Sequence, residues 1–457
     1  MNGQNSISLG METKRISSRV SVEDEPEDMV SEQVRQKFIS SIVQKLTLYS
    51  DPTTYGICIY KVPDKLRKMN EEAYRPRLVS VGPFHQGRPH LQAMERYKWR
   101  CVKKFLQRVN SDIAGVARVA WEMESSVRAS YGDTFDNFSS QAFSEMIMLD
   151  GIFIVELLLE SSGLTKGRDG AVLFDNPWMR SDILHDMMLL ENQLPIFVPL
   201  QYWLITDIGT AISFYDIIHT YFKSVGIMSR LATRAESDHT RHLVEFLEYC
   251  HRPSTPRETP IRPFREKLEH TRSAMELHEA GVKFERRREG DNSLFAINFA
   301  DGVLTLPQLT VNEWTETFFR NLIAFEQCER RIVTKAMTSY IILMDSLINT
   351  SHDVDLLIRC DIIKNFLGDY EQVTNLFNNL HKETLTDNSN FYFAKLCEDL
   401  NEYSRDYLHQ WKAAWFTWKR MLRHDYFSNP WSAISVIAAV VLLILTVTQT
   451  VCSILQL

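Results

Sequence analysis

In the stretch RLVSVGPFHQGRPHLQAMERYKWR (77–100), His85, His90 and Glu95 stand five residues apart. Imidazole and carboxylate are the donor types of zinc sites, and the same pair can move a proton. A ligand every five residues across a Gly-Pro break matches no established zinc spacing, and the remaining ligands would have to come from elsewhere. A second chemistry is an anion cradle built from Arg77, Gly82, Gly87, Arg88 and Arg96, because backbone N–H groups near a helix start attract negative charge. The bland alternative is a Gly82-Pro83 turn whose polar side chains satisfy its own backbone. The spacing favours that turn, so neither a metal nor a cofactor is expected.

Other acid and base candidates fare no better. Glu145, Asp150 and Glu156 fall in one helical segment. At about 100° per residue Asp150 points roughly 140° away from Glu145, while Glu156 lies about 16 Å further along the axis. Carboxylates that share general acid/base work sit closer than that. His278-Glu279 could form a proton-transfer pair, but a histidine held by neighbouring backbone at a helix end is the commoner arrangement. Cys101 falls on the apolar side of its helix, where a thiol is inert. The chain has no G-x-x-x-x-G-K-[ST], G-x-G-x-x-G, G-x-S-x-G or H-E-x-x-H. No catalysis is expected.

The elements that would position these residues are mostly helices. Val34, Phe38, Ile42 and Leu46 recur every four residues as far as Pro52. After Pro89 a helix should carry Leu91, Met94, Cys101, Phe105 and Val109 on one side. FSEMIMLDGIFIVELLLE (143–160) is apolar nearly all round and reads as a central buried helix. A further helix should open at Ser181 and end before Pro195. LFAINF and GVLTLPQLTV flank Ala300-Asp301-Gly302 as one short hairpin near 294–311. Asp369 with Gln372 suggests a capping box, and residues 349–353 a turn between helices. HRPSTPRETPIRPFR (251–265) has four prolines and no apolar period, so it marks a loop, a boundary or a variable surface.

The bulk numbers bound the class. The 457 residues are 44% hydrophobic and 24% charged, which fits a globular body with a sizeable core. A net charge of -7 argues against a nucleic-acid partner. Seven scattered cysteines with no C-x-x-C pair suit a reducing compartment without disulfides. No secretory core opens the chain, so a cytosolic start is expected, and the sequons at Asn137 and Asn349 should stay bare. Residues 1–30 are poor in apolar side chains and acidic, which suggests disorder.

WSAISVIAAVVLLILTVTQTVCSILQL (431–457) has no charged residue. About 20 apolar residues cross a bilayer, so a transmembrane helix over 431–455 is expected, with Trp431, Ile434, Val441, Leu445 and Val447 in the lipid. Trp411, Trp415, Trp418 and Tyr426 would lie at the headgroups, beside Lys419, Arg420 and Arg423 on the cytosolic side. The expectation is a single-pass C-terminal anchor that holds a cytosolic body, with the plasma membrane favoured and lipid as one partner.

Several segments carry a family resemblance: IYKVPDKLRKMNEEAYRPRLVSVGPFHQGRPHLQAMERYKWR (59–100), MLDGIFIVELLL, DILHDMMLLENQLPIFV, AMELHEAGVKF, FFRNLIAFEQC, MDSLINTSHDVDLL and YFSNPWSAIS. Together they resemble the plant domain-of-unknown-function 247 family, from about Ile59 to the C-terminal segment. Where members often have two adjacent histidines, this chain has His85-Gln86. The resemblance implies a terminal hydrophobic helix, no established catalytic residues and, for some members, a part in grass self-incompatibility.

The resulting expectation is a mainly α protein with a short hairpin and one transmembrane helix. Its helical part would run over 31–250, a Pro-rich loop over 251–270 and a second helical part over 271–425. Its function would be recognition of an unidentified protein partner; a membrane-bound enzyme and a structural scaffold are the alternatives.

Overall fold

The computed structural model describes residues 35–40, 56–164, 176–210, 212–224, 240–253, 270–287, 293–332, 334–384, 390–405, 438, 441–446 and 448–449. The chain divides into one unit over Met1–Gly56 and a second over Ile57–Leu457. In the first, residues 35–40 are helical and exposed.

The second unit is built around one buried helix. Its early elements are α1 (Asp64–Met69), α2 (Gln92–Val109), α3 (Ile113–Ala129), α4 (Ser140–Ser161), α5 (Pro177–Met187), α6 (Phe197–Ile205), α7 (Phe214–Ser224) and α8 (Leu243–His251). α4 buries an unbroken run from Met146 to Leu159, which leaves no solvated face and needs partners all round. Those partners are α2, α3, α6 and α7. α2 buries Met94, Lys98, Cys101, Val102 and Phe105; of the stripe expected after Pro89, Leu91 is buried in the turn just before the helix and Val109 is half-buried, while Lys98 and Val102 join it. Ser139 accepts the Ala142 N–H and starts α4.

α5 opens at Pro177, four residues before the expected Ser181. The Asn176 side chain accepts the Trp178 N–H and Pro177 takes the first helical position, the combination that begins helices.

The later elements are α9 (Ala274–Glu279), β1 (Lys283–Arg286), β2 (Asn298–Ala300), β3 (Val303–Leu306), β4 (Leu309–Val311), α10 (Thr315–Cys328), α11 (Ala336–Leu347), α12 (Ser351–Arg359), β5 (Ile363–Asn365), α13 (Tyr370–Leu380) and α14 (Ala394–Arg405). β2 and β3 pair antiparallel through Asp301 and Gly302, at φ 52° and 75°, the positive pair that a type I′ hairpin needs. LTV (309–311) is not part of that hairpin. Pro307 follows β3, and β4 pairs parallel with β5 instead, Val311 opposite Asn365. β1 adds to the other side of β3 in parallel. Capping boxes at Ser273/Glu276 and Thr350/Asp353 start α9 and α12, and Asp369 caps α13 by accepting the Glu371 N–H.

The C-terminal expectation is corrected. Among the described residues no helix is long and apolar enough to cross a membrane. Val441 and Leu445 lie on a helical run over 441–446 and are exposed. Trp411, Trp415, Trp418, Lys419, Arg420, Arg423, Tyr426, Trp431, Ile434 and Val447 lie outside the described residues, as do 254–269 of the Pro-rich loop. The transmembrane helix, the single-pass anchor and the plasma-membrane placement are therefore withdrawn.

Candidate functional site

The backbone of residues 77–82 does cradle anions, and those anions belong to the chain. The N–H groups of Arg77, Leu78 and Val79 donate to the Asp186 carboxylate at 2.8, 2.7 and 2.8 Å. The Val81 N–H donates to Asn192 Oδ1 at 2.7 Å, and the Gly82 N–H to Asp150 Oδ2 at 2.8 Å. Asn192 returns two bonds from Nδ2, to the Val79 and Asp186 carbonyls, each at 3.0 Å. An extended segment has no helix to absorb its donors, so acids projecting from the α4 and α5 region satisfy them instead.

Buried neighbours complete this clamp. Gln193 donates to the carbonyls of Met187, Leu189 and Asn192, while its Oε1 accepts the Val244 N–H. Glu191 accepts the Val62 N–H at 2.7 Å and pairs with Arg67. Asn321 of α10 accepts the Leu190 N–H and donates to the Ala73 and Thr317 carbonyls. Residues 186–193 thus knit the segment from Val62 to Val81 to α8 and α10. Gly82 sits at φ +74, and a Cβ there would lie 2.5 Å from the Gln193 carbonyl oxygen and 2.7 Å from the Tyr131 hydroxyl.

The charged centre is Lys98 and Asp150, both fully buried and 2.6 Å apart. The ammonium donates to Glu95 at 2.6 Å and to the Ser80 carbonyl at 2.7 Å, and faces Asp150 Oδ1 as an ion pair. Burial works against the Lys98 charge, yet Asp150 and Glu95 together hold it above its ordinary value. Burial pushes the Asp150 carboxyl up to about 6, with Lys98 pulling the other way. At neutral pH the two form an ion pair.

The proposed metal ligands part company. His85 is buried with its Nε2 3.7 Å from Glu191, and burial with nearby Arg88 and Arg67 pulls it down to about 3. His90 meets the Pro76 carbonyl at 3.2 Å, and Glu95 is bonded to Lys98. No group of three metal-donor side chains occurs among the described residues. Of the anion-cradle residues, Arg77 faces Asp182 at 3.5 Å, Gly87 stands in open space at φ +83, and Arg96 is exposed on α2. The Arg88 N–H donates to the His85 carbonyl at 3.4 Å.

The acids of α4 are equally committed, since Glu156 pairs with Arg108 at 2.9 Å while Glu145 is exposed. His278 Nδ1 lies 3.3 Å from the Val282 carbonyl, held by backbone at the end of α9. Burial, with Glu156 and Glu160 nearby, raises the Cys101 thiol well above its ordinary value, which suppresses the thiolate.

Sequence reasoning missed the residues that matter most here. Asp186, Glu191, Asn192 and Gln193 lie in DILHDMMLLENQLPIF, and the available signal was six polar side chains, with Asp182 and His185, set among apolar ones. Glu326, buried in α10, was missed as well. It accepts from the Met337 and Thr338 N–H groups at 2.8 Å each and from the Thr338 hydroxyl at 2.7 Å, capping α11 from a different helix.

The fold and the clamp define a mainly helical protein whose buried acids hold one extended segment in place. The chain belongs to the DUF247 family, described as plant protein of unknown function, whose model matches residues 59–445. It is 27% identical over 430 residues to the UPF0481 protein At3g47200 of Arabidopsis thaliana, covering 87% of this chain and 86% of that one. It is also 23% identical over 488 residues to the putative UPF0481 protein At3g02645 of Arabidopsis thaliana, covering 86% and 89%. No solved structure matches the chain.

Proposed function

We propose that this protein works by binding a protein partner and carries out no catalysis of its own. One contrast supports the reading. The acids and bases that could do chemistry are engaged internally, Asp186 with three backbone N–H groups and Lys98 with Ser80, Glu95 and the paired Asp150. Large apolar side chains at Trp121, Trp178 and Phe366 are meanwhile left on the surface. A rigid internal frame with apolar anchors outside suits recognition, where aromatic side chains contribute most of the affinity. The net charge of -7 argues against nucleic acid as the partner. Among the settings that the family resemblance offers, self/non-self discrimination is the one that needs such a surface.

The test is cross-linking of the full chain in plant tissue, with mass-spectrometric mapping and light scattering on the purified complex. One partner at fixed stoichiometry, cross-linked to a defined face, is the expected result. A chain that stays alone at every concentration and gives no reproducible cross-link would overturn the reading.

A further inference from the structure

α2 carries six bases and one acid, in a chain of net charge -7. Three of the bases are answered within the fold: Lys98 by Asp150 and Glu95, Lys104 by Glu160 at 2.5 Å, and Arg108 by Glu156 at 2.9 Å. Arg96, Arg100 and Lys103 are exposed, and no ion pair or side-chain hydrogen bond engages them among the described residues. At about 100° per residue, Gln92, Arg96, Trp99, Arg100, Lys103 and Gln107 fall within one arc of about 100°. All six are exposed, Trp99 by 46%, and no acid shares the arc. Glu95 lies outside it, bonded to Lys98.

Elsewhere in the fold, Arg128, Arg320, Arg359 and Lys395 each meet an acid one turn away on their own helix. On α2 the neighbours one turn apart are Arg96 and Arg100, then Arg100 and Lys103, and like charges at that spacing repel. The elements packed against α2 are α4 and the turn at 89–91. Of the α4 acids, Asp150, Glu156 and Glu160 are taken up by Lys98, Arg108 and Lys104, and Glu145 points about 140° away from Asp150. The chain leading into α2 adds Arg88 and His90, and no acid stands between Arg77 and Met94. Asp112, past the end of the helix, caps α3 by accepting the Gly115 N–H. The positive stripe therefore stands unanswered.

Three cations spread over about 10 Å of helix axis suit a narrow acidic target. An extended peptide with acids at alternate positions sets its carboxylates about 6–7 Å apart on one side, and the three cations step along α2 by about 6 Å and then about 4.5 Å. The guanidinium forks take carboxylates with paired N–H donors. A nucleic-acid lattice or an anionic lipid surface engages cations over a wider face, and a net charge of -7 opposes both. We propose that Arg96, Arg100 and Lys103, flanked by Trp99, dock an acidic extended segment of a partner protein. The proposal rests on the partner-binding reading above and specifies where, and by which charges, the partner is held.

The probe is a labelled 12-residue peptide of alternating glutamate and glycine, titrated against the full chain at low and at physiological salt. Anisotropy and tryptophan emission are the readouts, with an arginine–glycine peptide as comparator. The glutamate peptide should bind, more weakly as salt rises, and the arginine peptide should not. Arg96→Gln with Arg100→Gln and Lys103→Gln should weaken binding about tenfold and flatten its salt dependence. Lys283→Gln with Lys364→Gln and Lys382→Gln, which removes the same charge from exposed positions elsewhere, should leave binding unchanged. The α2 variant should have a urea midpoint no lower than wild type, because it relieves repulsion between like charges.

Equal binding by wild type and the α2 variant overturns the proposal, as does equal binding of the arginine peptide. A lower urea midpoint for the α2 variant shows these cations answered within the fold and overturns it as well. Vesicles of phosphatidylserine and phosphatidylcholine, or a single-stranded RNA, that bind wild type while the glutamate peptide does not overturn it in favour of phosphate. Self-association that the α2 variant abolishes overturns it in favour of a second copy as occupant. A cross-linked partner that binds wild type and α2 variant alike rejects this stripe but leaves partner binding standing. Failure to find any partner rejects the broader reading and leaves the stripe to be judged on the peptide titration.

Discussion

Replacing Asp186 by Asn tests whether one buried carboxylate holds the 77–79 segment. Its two oxygens accept three backbone N–H groups, and His185 Nδ1 lies 3.0 Å from Oδ1. Asn keeps one oxygen. Its best rotamer leaves that oxygen on the Leu78 and Val79 donors and turns the NH2 group toward the Arg77 N–H. The part-buried Arg77 donor then loses its acceptor, at a cost of about 1 kcal/mol, and two charge-assisted bonds fall to neutral strength, losing roughly 0.5–1 kcal/mol each. The sum is about 2–3 kcal/mol, a sizeable part of the roughly 5–15 kcal/mol that holds a native protein folded. With a urea slope on the order of 3 kcal/mol per molar, the midpoint should drop by about 1 M. The comparator is Asp182→Asn, a partly exposed partner of Arg77 at 3.5 Å, where the loss should stay below about 1 kcal/mol. Paired urea titrations followed by near-UV circular dichroism measure both. If Asp186→Asn costs no more than Asp182→Asn, the segment is held by something other than this carboxylate, and the clamp argument fails.

Gly82→Ala meets the Gln193 carbonyl and the Tyr131 hydroxyl at 2.5 and 2.7 Å as well as the left-handed backbone penalty, whereas Gly87→Ala meets only the latter. Thermal melts should show a loss of about 1 kcal/mol at Gly87 and at least twice that at Gly82. Glu326 is pushed up to about 7 by burial and by Glu248, against bonds from Thr338 and Met337. A carboxyl raised in the folded state contributes stability below its ordinary 4.5 and loses it as pH rises through 7. Urea midpoints of Glu326→Gln should therefore gain on wild type between pH 5 and pH 8. His85 behaves in the opposite sense. Burial with Arg88 and Arg67 lowers it from 6.5 to about 3, so its contribution is present above 6.5 and fades as pH falls. The His85 ring resonances should not titrate between pH 5 and pH 8, and His85→Gln should lose less stability than wild type between pH 7.5 and pH 5.

The sequence by itself determined the elements whose signals are local. The helix after Pro89 follows from apolar residues at helical spacing, and α4 from a run too apolar to leave a wet face. The Asp301-Gly302 turn follows from the two residue types that tolerate positive φ. The family follows from long motifs spread over most of the chain. The start of α5 was legible in Asn176-Pro177, although the apolar pattern pointed to Ser181 instead. Tertiary structure alone decided the partners. Asp186 lies 109 residues from Arg77, and Glu326 caps a helix it does not belong to. No periodicity encodes which distant N–H group a buried acid will meet. β4 fits a hairpin by composition, but it pairs with a strand some fifty residues on, because Pro307 separates it from β3 and α12 delivers β5 beside it. The charge-free C-terminal stretch has the hydropathy of a membrane span, yet hydropathy measures the preference of each residue for lipid. Whether one continuous helix forms is a property of the folded chain, and among the described residues no helix is long and apolar enough to cross a membrane.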